Sequence, residues 1–283
     1  MDQRIIDLYD EYTHAPLDRR VFLDRLTRLA GGTAAAFALL PVLENNYARA
    51  AVVAEDDPGL TIATGSYDGA TGPVKYYEAK PKGAAANTPA VLVIHENRGL
   101  NPHTQDTARR LAVAGFRAVA VDLLSPAGGT PADADKARDL IGALDPVTTL
   151  GNAVAGVAWL AASGIKVGAV GFCWGGGLAG RLATASDKLA AAVVYYGMPP
   201  DAAEVPKIKA PLLLHYAGLD ERITGAAPAF EAALKAAGVT YEAFVYEGKQ
   251  HAFNNDTNEA RYDKDAAELA WGRTIDFFKK TLA

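Results

Sequence analysis

Val167-Gly168-Ala169-Val170-Gly171-Phe172-Cys173-Trp174-Gly175-Gly176-Gly177 joins a short apolar run to a string of small residues, and its reading decides the fold. Val167 to Val170 has the length and β-branched content of a strand, and helical spacing takes over from Gly175 to Ala185. Between them, Gly171-Phe172-Cys173-Trp174-Gly175 has the form of a nucleophile elbow with Cys in the place of Ser. Such a turn is sharp and strained, so side chains at its flanks would collide with the adjoining strand and helix. The geometry presents the Cys173 thiol at the sheet's carboxyl edge, where the dipole of the following helix favours a thiolate. The competing reading is a buried structural cysteine, because free Cys is among the most buried residue types. The strand, the glycines and the helix together favour the nucleophile.

Outward from the elbow, short apolar runs alternate with segments of helical period from about Pro89 onward, the mark of a sheet wound with crossover helices. Strands are expected at Ala90 to His95, Ala118 to Asp122, Val167 to Phe172, Ala191 to Tyr196, Leu212 to Tyr216 and Tyr241 to Tyr246. Helices are expected at Thr104 to Ala114, Ala132 to Ala143, Pro146 to Ala162, Gly175 to Ala185, Ala226 to Ala237 and Lys264 to Thr281, with Gly115, Gly164 and Gly238 as stops. Residues 60–80 read as an antiparallel hairpin. The expectation is an α/β-hydrolase fold: a mainly parallel central sheet with helices on both faces and a helical N-terminal extension. Residues 1–55 form the extension and residues 56–283 the hydrolase domain.

A thiolate nucleophile needs a base beside it and an acid behind the base, and this fold supplies them in the order nucleophile, acid, histidine. Asp220 follows the strand ending at Tyr216, and His251 lies in the loop between the strand ending at Tyr246 and the last helix. Alone, Asp220 would read as a turn or helix cap and His251 as a surface histidine; position and order together favour catalysis. His14, His95, His103 and His215 are the other histidines, and none occupies that late loop. His95-Glu96-Asn97-Arg98-Gly99-Leu100-Asn101 falls where the fold places its oxyanion loop, so the backbone amides of Asn97 and Trp174 are the expected oxyanion donors. Glu96 beside them can accept the thiol's proton or hold the thiol neutral; its structural reading is an ion pair with Arg98 or Arg109. Arg98, Tyr196 and Asn255 are candidate substrate contacts.

With 283 residues, 22% of them charged, and a net charge of −5, the chain has room for one large domain and no basic excess to neutralise phosphates. The expected partner is therefore a small molecule, not nucleic acid. One cysteine excludes an intramolecular disulfide. No His, Cys or carboxylate pair has metal-binding spacing, and no Walker loop or G-x-G-x-x-G follows a strand, so neither a metal nor another cofactor is expected.

The apolar stretch Leu29 to Leu43 is broken by Gly31, Gly32 and Pro41 and falls short of a stable membrane span. Arg19-Arg20-Val21-Phe22-Leu23 before it and Ala48-Arg49-Ala50 after it resemble a twin-arginine leader, which implies export to the periplasm. Equally, Ile5, Ile6, Leu8, Tyr9 and Tyr12, then Phe22, Leu23, Leu26 and Leu29, recur at helical spacing. That pattern fits an amphipathic extension of a cytoplasmic protein, packed on its own domain or joining subunits into a homo-oligomer. Both readings stay open.

Gly171-Phe172-Cys173-Trp174-Gly175-Gly176, the Glu96 loop, Asp220 and Gln250-His251-Ala252-Phe253 together resemble the dienelactone hydrolase family over about residues 60–283. The resemblance implies a Cys-His-Asp triad attacking an enol-lactone, with Glu96 in a substrate-triggered activation of the thiol. It also implies arginines that grip a substrate carboxylate, one shortly after the catalytic histidine; this chain has Asn254 and Asn255 there. The expected function is hydrolysis of a small-molecule ester or lactone through an acyl-enzyme. The alternative is an α/β-hydrolase-like binding protein without turnover.

Overall fold

In a computed structural model of the chain, which describes residues 1–15, 17–47 and 51–283, three helices precede the sheet: α1 (Gln3–His14), α2 (Arg19–Ala30) and α3 (Thr33–Leu43). Asp2 and Asp18 cap α1 and α2 by accepting from the amides of Arg4 and Arg20. Gly31, at φ 80°, ends α2, and α3 leaves at 112° to it. The apolar stretch is thus folded back on itself. Among the described residues no single helix is long and apolar enough to cross a membrane. The Ala48-Arg49-Ala50 exit of the leader reading lies outside the described residues.

The sheet has eight strands: β1 (Leu60–Gly69), β2 (Gly72–Pro81), β3 (Ala90–Ile94), β4 (Arg117–Val121), β5 (Val167–Phe172), β6 (Leu189–Tyr195), β7 (Leu212–Ala217) and β8 (Tyr241–Tyr246). Their spatial order is β1-β2-β4-β3-β5-β6-β7-β8. The expected hairpin is β1–β2, joined antiparallel to β4, while every pairing from β4 to β8 is parallel.

Why the central runs are apolar throughout, rather than alternating with polar residues, follows from burial on two faces. Along β3, Ala90, Leu92 and Ile94 enter one core with Val157 and Leu182, while Val91 and Val93 enter the other with Leu111 and Phe278. The first core lies beneath α6 (Pro146–Ala161), α7 (Trp174–Ala185) and α9 (Ala227–Ala236); the second lies beneath α4 (Pro102–Val113) and α10 (Lys264–Leu282). Two shorter helices, α5 (Ala134–Gly142) and α8 (Glu221–Thr224), sit on the carboxyl side of the sheet, in the loops after β4 and β7.

The extension has a core of its own, with Tyr9, Tyr12, Phe22, Leu26 and Leu43 buried together. Tyr12 and Phe22 stack at 4.4 Å. Polar bonds then fasten this unit to the hydrolase body: Arg261 to Asp10 at 2.7 Å, Arg19 to Asp135 at 2.5 Å, and Arg138 to the Tyr12 carbonyl at 3.2 Å. Arg261 is buried, so its charge depends on Asp10 for a partner. The amphipathic helices of the extension thus pack on one another and on the chain's own domain.

Candidate active site

The elbow forms where β5 meets α7. Cys173 has φ 56° and ψ −117°, a strained conformation for a residue with a Cβ. Its neighbours explain why the turn closes only with glycine: a Cβ on Gly171 would lie 1.9 Å from the Gly175 carbonyl oxygen, and one on Gly175 would lie 2.3 Å from the His95 oxygen. The thiol stands at the carboxyl ends of β3, β5 and β6, with 7% of the residue exposed.

Asp220 and His251 converge on it. His251 Nδ1 lies 2.5 Å from Asp220 Oδ2, and a carboxylate can only accept there, so Nδ1 carries the proton and Nε2 presents a lone pair. That Nε2 is buried and has no hydrogen-bond partner among the described residues. Burial takes the imidazole down to about 3 and raises the Asp220 carboxyl above its ordinary value. Burial also pushes the Cys173 thiol up to about 12, the negative charge of Glu96 adding to it. The helix dipole expected to favour a thiolate is outweighed by loss of solvent, and the resting nucleophile is a neutral thiol.

A second imidazole, absent from the triad read in the sequence, reaches the thiol. His14, the last residue of α1, places Nε2 3.1 Å from Cys173 Sγ. Its Nδ1 lies 2.8 Å from the Asp10 carbonyl oxygen, which only accepts, so Nδ1 is protonated and Nε2 receives the thiol's hydrogen. The rings of His14 and His251 meet edge to face at 4.5 Å. The ligand-capable atoms of His14, Cys173 and His251 all lie within 4.8 Å of one another. Burial holds His14 well below the ordinary imidazole value, with the neighbouring His251 contributing. Setting His14 aside as a residue of the extension is corrected by this contact. Nothing in the sequence links it to a cysteine 159 residues away; its only signal is its place at the end of an amphipathic helix.

Glu96 is buried and bonded by Asn255 Nδ2 at 2.7 Å, while its other oxygen has no hydrogen-bond partner among the described residues. The ion pair weighed for it does not form: Arg98 turns to Asp135 at 2.7 Å, and Arg109 to Asp106 and the Tyr77 hydroxyl. Asn255 is fully buried and also accepts from Thr257, so it anchors Glu96 and does not face the substrate cleft. The Asn97 side chain donates to the Thr13 carbonyl at 2.6 Å, fastening the oxyanion loop to the end of α1.

The cleft in front of the thiol has a volume of about 1080 Å³, and its walls include Tyr12, His14, Ile141, Trp174, Tyr196 and Arg222. Tyr196 is placed there by a positive φ of 37° and packs on His251 at 4.9 Å. Arg98 is instead part of a small cavity behind the thiol, with Glu96, His14 and His251. The cleft wall supplied by α1 was not foreseen from the sequence.

Comparison with known proteins agrees with this geometry. The family model described as the dienelactone hydrolase family matches residues 74–282, and one described as YqhI-like matches residues 1–31. A protein of Escherichia coli K12 named provisionally as a carboxymethylenebutenolidase is 32% identical over 223 residues, covering 72% of this chain and 81% of that protein. YghX of the same strain, named provisionally as a hydrolase fragment, is 45% identical over 113 residues, covering 39% of this chain and 97% of that one. Among solved structures, one provisionally named a dienelactone hydrolase, from Klebsiella pneumoniae, superposes with a TM-score of 0.68 at 28% identity, covering 77% of this chain and 99% of that chain.

Proposed function

The chain belongs to the dienelactone hydrolase family, and from that premise we propose that it cleaves a small-molecule ester or lactone through a cysteinyl acyl-enzyme. The observation that carries the reading is the thiol of a strained elbow within 4.8 Å of His251 Nε2, which has no hydrogen-bond partner among the described residues and whose ring is held at its other nitrogen by a buried carboxylate. Cys173 attacks the carbonyl carbon as its proton passes to His251 Nε2; the carbonyl π electrons move to oxygen. The amides of Asn97 and Trp174 receive that oxyanion, a contribution worth roughly 10²–10³ in rate for a single donor. Collapse expels the alkoxide, which takes the proton from His251. Water, deprotonated by the same imidazole, then releases the acid and restores the thiol. Asp220 holds the tautomer and steadies the imidazolium between these steps.

Burial, with the charge of Glu96 across the small cavity adding to it, keeps the thiol protonated, so the nucleophile is silent until a substrate carbonyl is in place. Tyr196 and Trp174 give the cleft apolar walls, and Arg222 gives it a cation at the mouth. With a nitrophenyl acetate as substrate, Cys173→Ala is expected to reduce turnover at least about 10³-fold while the circular dichroism is retained. Undiminished turnover would overturn the reading.

In the same reading residues 1–43 stay on the mature enzyme, because they wall the cleft and partner Arg261. Arg19 of the twin-arginine pair is engaged by Asp135 and Glu44, which suits a folded segment of a cytoplasmic protein. Recovery from the periplasm of a chain starting after residue 50 would replace this with the export reading. Val21 and Phe37, 40% and 60% exposed, offer the extension's outer face for self-association. A mass in solution that is monomeric for both the native chain and Phe37→Asp removes that part.

A further inference from the structure

Two imidazole lone pairs and a thiol converging on one point are more than a hydrolytic triad requires. His251 Nδ1 is fixed by Asp220, and His14 Nδ1 is fixed by the Asp10 carbonyl, so each ring turns Nε2 inward. A carboxylate or carbonyl behind the distal nitrogen is how protein sites orient and polarise a ligating histidine. His251 Nε2, 99% buried with its ring, has no hydrogen-bond partner among the described residues. Next to it lies a cavity of about 20 Å³ bounded by His14, Cys173, His251 and Glu96, among others, which is room for one water-sized occupant.

We propose that His14, Cys173 and His251 form a binding site for a single zinc-type divalent cation, and that its occupancy switches the hydrolase off. One sulfur and two imidazole nitrogens suit a borderline-soft ion and leave a fourth, tetrahedral position for water; magnesium and calcium, which take oxygen ligands, are poorly matched. Tetrahedral zinc with ordinary bond lengths spaces sulfur and nitrogen by roughly 3.5 Å. The present spacing of 3.1 Å between His14 and Cys173, and the outer limit of 4.8 Å for the trio, bracket that value, so modest side-chain rotations complete the shell. Binding exchanges the thiol proton for the cation: the S–H bond breaks, an S–metal bond forms, and the proton goes to solvent, with no change of oxidation state. The nucleophile's sulfur and the base's nitrogen are then both engaged, so neither attack nor proton transfer can proceed.

The binding site stands on geometry alone, while its regulatory consequence rests on the hydrolase reading; the test separates the two. Cobalt(II), added to the full-length, metal-free protein, reports tetrahedral thiolate ligation by a sulfur-to-cobalt charge-transfer band and visible d–d bands, and zinc is then used to displace it. The expected result is one equivalent bound, displacement by zinc, and zinc inhibition of nitrophenyl acetate hydrolysis that a chelator reverses. His14→Gln is expected to weaken zinc binding and raise the inhibition constant together by at least about 10-fold. Cys173→Ser, checked for fold by circular dichroism, should lose the charge-transfer band and serves if His14→Gln does not fold. Absence of the band in the native chain overturns the site. So does His14→Gln binding cobalt as tightly as the native chain, which would leave the ion on Cys173 and His251 alone. Cobalt binding in a chain that hydrolyses no ester supports the site and removes the hydrolase reading instead.

Discussion

The hydrolase body and the helical extension bring one imidazole each to the same sulfur, but by different means. His251 arrives through the order of loops at the edge of a sheet, and Asp220 behind it follows the same rule. His14 arrives because a separately packed unit, with its own apolar core, docks on the cleft through polar bonds such as that of the buried Arg261 to Asp10. The first kind of residue is set by topology; the second is set by a docking surface. A local fault in the body should therefore spare the extension, and a fault in the extension's core should shift His14 while leaving the elbow standing.

The largest expected effect tests the body. Asp220→Asn leaves the shape of the site but cannot hold the His251 tautomer, and should lower kcat by about 10²–10⁴ with little change in melting temperature. A fall below tenfold would mean that the second imidazole does the work assigned to His251.

Next comes the extension. Phe22, fully buried and stacked on Tyr12, should cost roughly 3–5 kcal/mol when replaced by Ala. Hydrogen exchange should show residues 1–43 losing protection while β5 and β6 keep theirs. Equal loss in the sheet would merge the two regions into one cooperative unit.

A smaller effect comes from acid. Burial takes His215 and His251 of the body down to about 3, whereas an unfolded chain protonates them near 6.5. The unfolded state therefore binds more protons between those values, and stability, full above pH 6.5, is lost as pH falls toward 3. At pH 5.5 each imidazole should have removed about 1 kcal/mol, read from denaturant midpoints. His215→Gln should flatten the slope by one proton, and an unchanged slope would show that His215 does not contribute.

The smallest effect concerns Arg25 and Glu11, an exposed pair at 2.9 Å that joins α2 to α1. Arg25→Ala should change stability by less than about 1 kcal/mol, and less still in high salt. A larger loss would make surface charge, not the aromatic core, the cement of the extension.

The same division explains what was legible in the sequence. Val167–Phe172 has the bounds that its apolar run suggested, because a strand buried on both faces must be apolar along its whole length. Tyr241–Tyr246 is a partly exposed edge strand, and its aromatic and β-branched residues on either side of Glu242 mark the same bounds. Cys173, Asp220 and His251 were readable because each follows a strand at the carboxyl edge, so chain order alone brings them together. The role of Asn255 was not readable, since a polar residue behind Glu96 and one facing substrate look alike in a loop. Nor was the thiol's state: the helix dipole is visible in sequence, whereas the burial that outweighs it depends on α1 and the loops over the elbow. His14 lay beyond reach for the same reason, because docking of one packed unit on another leaves no periodicity behind.

Having a helix from upstream of the elbow at the nucleophile carries a consequence for how the protein is born. The ribosome releases His14 before the elbow and the elbow before His251, so the thiol is made ahead of its base. Throughout that interval Tyr12, Phe22 and Leu26 can bury against one another, but Asp10 has no Arg261 to meet until translation has passed that residue. The clasp that holds α1 over the site thus closes only after both the nucleophile and its base have been made.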